Sequence, residues 1–421
     1  MPEASSSRPS EPSLFRDSAI YAAGLFLNRG LDFALLPLFT NIFTPEEYGA
    51  VVLGLTLLWF GKTLCGLGLV PAFIRFAPEH TKGEAWPAFG ACTVALVTLS
   101  FLLAVALYAW AMPVAKTFGL AGHPDIVPLV AIITLLDALT FMPYALFRAE
   151  RRPAQFVLHT TLTTVINVGC SIYLVLYEGM GAEGIFWAQV IASGCNAVLV
   201  SLRLPLRLPL RLNEKILMPL LRFGLPFVPA GVATVAMDMA DRLILEKLMG
   251  VAAVGVYSAA YRIGMGMGLV VRAFQYAWAP HILSQSTSAK KAIRRGMMSF
   301  CLIAGVMWLA FWLFGDQLVK VELFGHPLLG AAFQADVAII PPILFAYALS
   351  GVSEALMANV YLVGRSGIVP VAWIAAAAVN VVLCFLLIPP LGAIGAAYAT
   401  VAGYAALAVI LWGYSRTTKP L

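Results

Sequence analysis

Residues 19–70 read AIYAAGLFLNRGLDFALLPLFTNIFTPEEYGAVVLGLTLLWFGKTLCGLGLV. Two apolar runs, 19–42 and 48–70, flank the polar break Thr44-Pro45-Glu46-Glu47. Each run has the roughly 20 residues that an α-helix needs to cross the hydrocarbon core of a bilayer. The same pattern continues along the chain. Further spans are predicted near 88–110, 125–147, 155–177, 182–202, 219–245, 251–273, 297–315, 336–360, 368–389 and 392–414. That makes about twelve, with further breaks at Arg151-Arg152-Pro153 and a tight turn at Gly392. Of the 421 residues, 61% are hydrophobic and only 11% are charged. A soluble domain carries roughly 25% charged residues. Too few charges remain to coat a globular surface in water, so lipid is the solvent for most of this chain.

The basic residues set the orientation. They gather after alternate spans: Arg8 and Arg16 before the first, Arg75 and Lys82 after the second, and Arg148, Arg151 and Arg152 after the fourth. Arg203, Arg207, Arg211 and Lys215 follow the sixth, Lys290, Lys291, Arg294 and Arg295 the eighth, Arg365 the tenth, and Arg416 and Lys419 the twelfth. The other side has little beyond Lys116, Lys247 and Lys320. The positive-inside rule then places both termini in the cytoplasm, in agreement with an even number of spans. A net charge of +6 therefore marks topology and not a nucleic-acid partner. The expected organisation is a disordered tail (1–17), a six-helix bundle (18–202), a basic linker (203–217), a second six-helix bundle (218–415) and a short tail (416–421). No cleavable signal precedes the first apolar run, which is expected to stay as a helix. Cys65, Cys92, Cys170, Cys195, Cys301 and Cys384 each lie in an apolar run without a CxxC, and are read as small core residues.

The two halves repeat. Asp137-Ala-Leu, Tyr144, Arg148 and Pro153 recur as Glu354-Ala-Leu, Tyr361, Arg365 and Pro370 at identical spacing. Asn167 before Gly181 and Gly184 mirrors Asn380 before Gly392 and Gly395. Tyr48-Gly49 has a weaker counterpart in Val254-Gly255, and on that register Asp32 falls opposite Asp238. A unit of six helices enters the membrane from the same side each time, so the repeat is parallel. The expected fold is an all-α polytopic membrane protein, with two such bundles around a central cavity that opens alternately to each side.

Charges at bilayer depth cost about 2.5–3.5 kcal/mol and face a cavity or a partner. Arg29, Asp32, Lys62, Asp137, Asp238, Asp241, Arg262 and Glu354 fall deep in spans, with Arg242 closer to the exit of span 7. Pairing within a helix would account for Arg29 with Asp32, three apart, and for Arg242 with Asp238 or Asp241. Arg272 is read as an interface residue that reaches back to the headgroups. Lys62 and Arg262 have no acid at helical spacing in their own spans, so each needs a partner across helices, water or a substrate. Arg29, Lys62 and Arg262 are therefore candidates to hold an anionic head group, most naturally a pyrophosphate, which a guanidinium fork binds in bidentate fashion. Asp32, Asp137, Asp238 and Glu354 are candidates for proton or sodium coupling, or for cavity hydrogen bonds. Trp59, Tyr257, Tyr261, Tyr276 and Trp278 are aromatic groups for sugar stacking or for packing. Gly264, Gly266 and Gly268 permit close helix approach. Pro226 and Pro229 are expected to kink span 7.

No GxxxxGK[ST], HExxH, GxSxG or metal-ligand spacing occurs, so no cofactor and no catalytic centre are expected. Every loop is short, which leaves little room for an enzyme's acceptor and donor sites.

The stretch Leu36 to Gly49, LPLFTNIFTPEEYG, resembles the start of bacterial polysaccharide flippases of the Wzx type. Phe73-Ile74-Arg75-Phe76, Val254 to Arg262 (VGVYSAAYR) and Gly392 to Tyr398 (GAIGAAY) are similar to that family too. The resemblance implies the multidrug/oligosaccharidyl-lipid/polysaccharide exporter fold. It also implies a substrate: an undecaprenyl-pyrophosphate-linked oligosaccharide flipped to the periplasmic leaflet of the bacterial inner membrane. Arg29 and Arg262 match the family's basic cavity in kind. Polymerases or glycosyltransferases are the implied partners, with membrane lipids around them. Similar lipid II flippases typically carry two more C-terminal helices than the twelve spans counted here, which turns the expectation away from lipid II. A cation-coupled drug exporter of the same superfamily and a non-transporting scaffold of a glycan assembly complex are the alternatives.

Overall fold

The computed structural model describes residues 11–76, 82–204, 210–283, 287–323, 325–362 and 367–417. Sixteen α-helices follow one another among them. They are α1 (Glu11–Ile42), α2 (Pro45–Gly66), α3 (Leu69–Phe76), α4 (Lys82–Ala109), α5 (Ala111–Thr117), α6 (Ile126–Ala149), α7 (Pro153–Leu176) and α8 (Gly181–Ser201). The second half holds α9 (Glu214–Gly224), α10 (Phe227–Met249), α11 (Val251–Gly264), α12 (Gly266–Leu283), α13 (Thr287–Leu318), α14 (Ile340–Leu362), α15 (Ile368–Leu391) and α16 (Ala393–Thr417). A two-residue hairpin (Glu322–Leu323 with His326–Pro327) and a 3₁₀ segment (Ala331–Ile339) join α13 to α14. Eleven helical stretches are long and apolar enough to cross a membrane, and α9 with α10 makes a twelfth as one bent span. The chain is a multi-pass membrane protein of two helical lobes.

Local chemistry explains the boundaries. At the first break Thr44 caps α2: its hydroxyl accepts from Glu47 N at 3.2 Å, and the Glu47 carboxylate accepts from Thr44 N at 2.9 Å. Pro45 occupies the first helical position, where a missing N–H costs nothing. This reciprocal cap satisfies helix-end donors that lipid could not. α2 then ends on Leu67 and Gly68, both at positive φ (48° and 64°), which starts α3 on a new course. Span 7 breaks as its prolines predict. α9 and α10 meet at 47°, with Pro226 capping α10 and Pro229 in its first turn. As a result α9 packs on α3 and α4 of the first lobe, while α10 packs on α15 of the second.

Large apolar side chains point outward where a soluble protein would be polar. Phe101, Leu102 and Val105 on α4, Leu302, Val306 and Leu309 on α13, and Val382, Phe385 and Leu386 on α15 are all exposed. The buried core instead lies between helices, around residues such as Leu53, Phe186, Tyr257 and Leu344.

The expected tail 1–17 needs correction at its end. α1 begins at Glu11, so residues 11–17 extend the first helix, with Pro12 in the first turn where it is tolerated. In the basic linker, 205–209 lie outside the described residues, and α9 starts at Glu214 behind an Asn213 cap. The side chains of Lys290, Lys291, Arg294, Tyr361 and Arg365 also lie outside the described set.

The lobes meet closely at the end of the bundle where α1 joins α2. Gly49 on α2 faces the carbonyl of Val251, and Gly255 on α11 faces the carbonyl of Pro45. These glycines are the repeat-related pair seen in the sequence, packed reciprocally across a pseudo-two-fold. Gly119 against Glu246 and Gly330 against Thr40 extend the contact on either side. At the opposite end, which carries the basic loops, Gly68 and Gly224 meet backbone to backbone.

Candidate functional site

Two chambers lie between these closures. The first, of about 370 Å³, is walled by α1, α2, α7 and α8 on one side and by α10 and α11 on the other. Arg29, Lys62, Arg242 and Arg262 line it, with Asp32 as its one acidic residue. The second, of about 510 Å³, lies between α1 and α10–α12 and α14–α16. Its charges balance: Arg29, Arg262 and Arg272 against Asp32, Asp238 and Glu354. Arg29, Asp32, Arg262 and Met265 belong to both, so the chambers meet at the α1–α11 contact. There Arg262 Nη2 donates to the backbone oxygen of Asp32 at 2.6 Å, joining the lobes.

The structure sorts the candidate charges into three groups. Arg29, Asp32 and Arg262 come together at the junction. Arg29 and Asp32 share a face of α1, yet among the described residues no ion pair joins them. Lys62 and Asp137 form the second group. Lys62 Nζ lies 2.6 Å from Asp137 Oδ2, across from α2 to α6, and 5.5 Å from the centre of the Trp59 ring. Asp137 lines neither chamber; it holds Lys62 at the wall of the first. The partner that Lys62 needed is thus a carboxylate placed eleven residues into α6. Asp238 and Glu354 form the third group, on the wall of the second chamber. Tyr404 donates to Asp238 Oδ1 at 2.9 Å, and Arg272 and Tyr347 stand nearby in the same wall. Arg272, expected at the interface, lines this chamber and donates to Gln275 at 3.1 Å.

Arg242 is structural. It is buried, pairs with Asp241 at 2.9 Å and donates to the backbone oxygen of Asp238. Its guanidinium lies 4.3 Å from the centre of the Tyr261 ring, and Tyr257 donates to the other Asp241 oxygen at 2.6 Å. Tyr257 is therefore a packing residue of the α10–α11 core, while Tyr261, also buried, packs on Arg242 and borders the first chamber. Trp59 is 46% exposed and does face the first chamber. Tyr276 and Trp278 have side chains outside the described residues. Gly264 packs against Ile343 as its small size predicts, while Gly266 has open space. Among the described residues no cluster of three or more His, Cys, Asp or Glu is placed to hold a metal ion.

Sequence reasoning passed over the neutral side of the first chamber. The pair Thr163 and Thr164 is followed by Asn167 and Ser171 at steps of three to four residues on α7, and Gln189 lines the same chamber from α8. A polar stripe at helical period in an apolar span was the available signal. A larger recess of about 650 Å³, between α13, α14 and α16, is mostly aromatic and aliphatic and holds a single charged side chain, Asp316.

Two helical lobes enclose these polar chambers, an arrangement shared with solved membrane transporters. The inward-closed structure of the lipid II flippase MurJ superposes with a TM-score of 0.81, over 96% of this chain and 88% of that one, at 12% identity. An outward-facing multidrug resistance MATE family transporter gives 0.63 over 96% and 94%, at 17% identity. A transporter of the same superfamily from Pyrococcus furiosus, with a binding pocket of reversed polarity, gives 0.63 over 96% and 95%, at 15% identity. These likenesses establish the fold. The chain belongs to the polysaccharide biosynthesis protein family, which residues 38–323 match. It is 25% identical over 241 residues to the succinoglycan biosynthesis transport protein ExoT of Rhizobium meliloti (strain 1021). That match covers 55% of this chain and 46% of the relative, so it spans under half of the relative's own length.

Proposed function

We propose that this chain is a flippase that carries an undecaprenyl-pyrophosphate-linked oligosaccharide from the cytoplasmic to the periplasmic leaflet, by alternating access. The observation that carries this reading is the junction of the chambers, where Arg29 and Arg262 face the cavity beside the single acid Asp32, with Lys62 held at the wall by Asp137 and Arg242 already neutralised by Asp241. A dianionic pyrophosphate is the charge that such a wall favours, and Arg29 and Arg262 are the members without a side-chain carboxylate partner among the described residues. Lys62 is released to the substrate only if Asp137 lets it go. Family membership agrees with a glycan substrate. The bias of basic residues to alternate loops supports cytoplasmic termini, and a bacterial inner membrane is the location this reading carries. Asp238 and Glu354, in the balanced chamber, are the groups proposed to couple a proton or sodium ion to the cycle, with Asp32 between them and the pyrophosphate site. A polymerase or glycosyltransferase would deliver or consume the glycan.

The test is reconstitution in liposomes with a fluorescent undecaprenyl-pyrophosphate sugar, with reagent access to the far leaflet as readout. Arg262→Ala and Arg29→Ala are each expected to slow movement at least tenfold in folded protein, from the loss of about 1.5–3 kcal/mol per charged hydrogen bond. Unchanged movement in both variants would remove the site. Movement of organic cations instead of the lipid would favour a drug exporter using Asp238 and Glu354.

A further inference from the structure

The first chamber is basic on one side only. Toward the α1–α2 end its α7–α8 wall is neutral and polar, and the one further cation there, Arg242, is already paired with Asp241. On α7 and α8, Asn167 Nδ2 donates to Gln189 Oε1 at 2.7 Å, Ser171 donates to Asn167 Oδ1 at 3.3 Å, and Gln189 Nε2 donates to Ser193 at 3.1 Å. Each amide has a second N–H beyond these bonds. The Thr164 hydroxyl spends its proton on the Thr160 carbonyl at 3.1 Å, which leaves oxygen lone pairs for the chamber. Facing this shelf from α11 is Ser258, 5% exposed, whose Oγ has no hydrogen-bond partner among the described residues. A buried hydroxyl without a partner costs about 1–3 kcal/mol, so its place in a chamber wall asks for a ligand or water. Ser258 lies one helical turn from Arg262, about 6 Å along α11.

The repeat provides an internal control. The position equivalent to Asn167 is Asn380, which donates from α15 to Thr400 on α16 at 3.4 Å. Both are fully buried and neither lines a chamber. The second lobe uses this inter-helix amide for packing alone, while the first lobe opens it to a cavity. Packing therefore does not explain the exposure of Asn167 and Gln189.

We propose that the shelf formed by Thr164, Asn167, Ser171 and Gln189, with Ser258 opposite, is a binding site for the neutral, hydroxyl-bearing sugar joined to the pyrophosphate. This rests on the flippase reading above and names the part of the substrate that the basic junction does not read. Sugar hydroxyls donate and accept at once, and the shelf offers amide donors beside hydroxyl acceptors. The order along the chamber places the sugar ahead of the pyrophosphate, nearer the α1–α2 end.

The experiment measures affinity of the full-length protein in nanodiscs for two probes: bare undecaprenyl pyrophosphate, and the same lipid bearing one neutral hexose. The quantity read is the ratio of the two affinities. Native protein is expected to prefer the hexose-bearing probe. Asn167→Ala and Gln189→Ala are each expected to lower the ratio about two- to tenfold. Ser258→Ala and Thr164→Val remove a hydroxyl almost isosterically and should lower it in the same direction, which guards against misfolding of the amide variants. A ratio unmoved by all four overturns the proposal and leaves the shelf to water and helix packing. Native protein that binds neither probe overturns the flippase reading itself, and is distinguished by the absence of any affinity to divide.

Discussion

Closure at the α1–α2 end depends on two glycines, and Gly255→Ala is the sharpest way to break it. A Cβ on residue 255 would overlap the carbonyl oxygen of Pro45 and sit 3.1 Å from Gly49 N. Both obstacles are backbone of a facing helix, so no rotamer change relieves them, and α2 and α11 must separate. Overpacking a tight contact costs about 1–3 kcal/mol, and a rigid backbone obstacle argues for the upper figure. About 3 kcal/mol shifts a two-state equilibrium by roughly 150-fold. The state closed at this end is weakened by that factor, while the state open there, in which α2 and α11 are apart, is untouched. The assay is modification of a single reporter, Ile185→Cys in the wall of the first chamber, in a cysteine-free background. A membrane-impermeant maleimide added from the α1–α2 side should label it one to two orders of magnitude faster in Gly255→Ala than in the parent. Gly49→Ala, facing the Val251 carbonyl, should act in the same direction. Gly169→Ala, with nothing within 4 Å, should leave the rate alone. Equal rates in Gly255→Ala and Gly169→Ala, at equal folded yield, would refute the reading of this contact as a closure.

Two stability predictions follow from the buried ion pairs. Lys62→Ala strands Asp137, 13% exposed, and Asp137→Ala strands Lys62, 20% exposed; each should cost up to about 3 kcal/mol, and the double variant should recover more than half of that in a thermal unfolding series. Asp241→Asn leaves Arg242, 5% exposed, without its counter-charge, so a loss of about 3–5 kcal/mol is expected, read as reduced folded yield or a lower Tm in detergent; a Tm within experimental error of the parent would show that Tyr261 and the Asp238 carbonyl suffice for Arg242.

The number of spans, the parallel repeat and the kink at Pro226 were legible in the residues because each is a property of one segment against a slab of fixed thickness. Leu36 to Gly49 needs no neighbour to reveal a helix end: the apolar run, the threonine and the proline settle it locally. The depth of Arg29, Lys62 and Arg262 is legible for the same reason, since rise per residue turns position into depth. Partnership is not legible in this way. Lys62 meets Asp137 although 75 positions separate them, and Asp137 and its repeat-mate Glu354 end in different surroundings, one holding a lysine and one facing a chamber. Tyr257 and Trp59 look alike in sequence as aromatic groups in spans, yet one is sealed in the core and the other faces a cavity. The sequence by itself determined that this chain lives in lipid, how often it crosses, and which charges lie too deep to be solvated by headgroups, because transfer energies act residue by residue. Only the tertiary structure decided which of those charges cancel one another, where the lobes touch through glycine, and which polar stripe opens on a chamber, because these depend on how helices rotate and cross. That rotation is set by packing between distant segments, on which hydropathy along the chain carries no information.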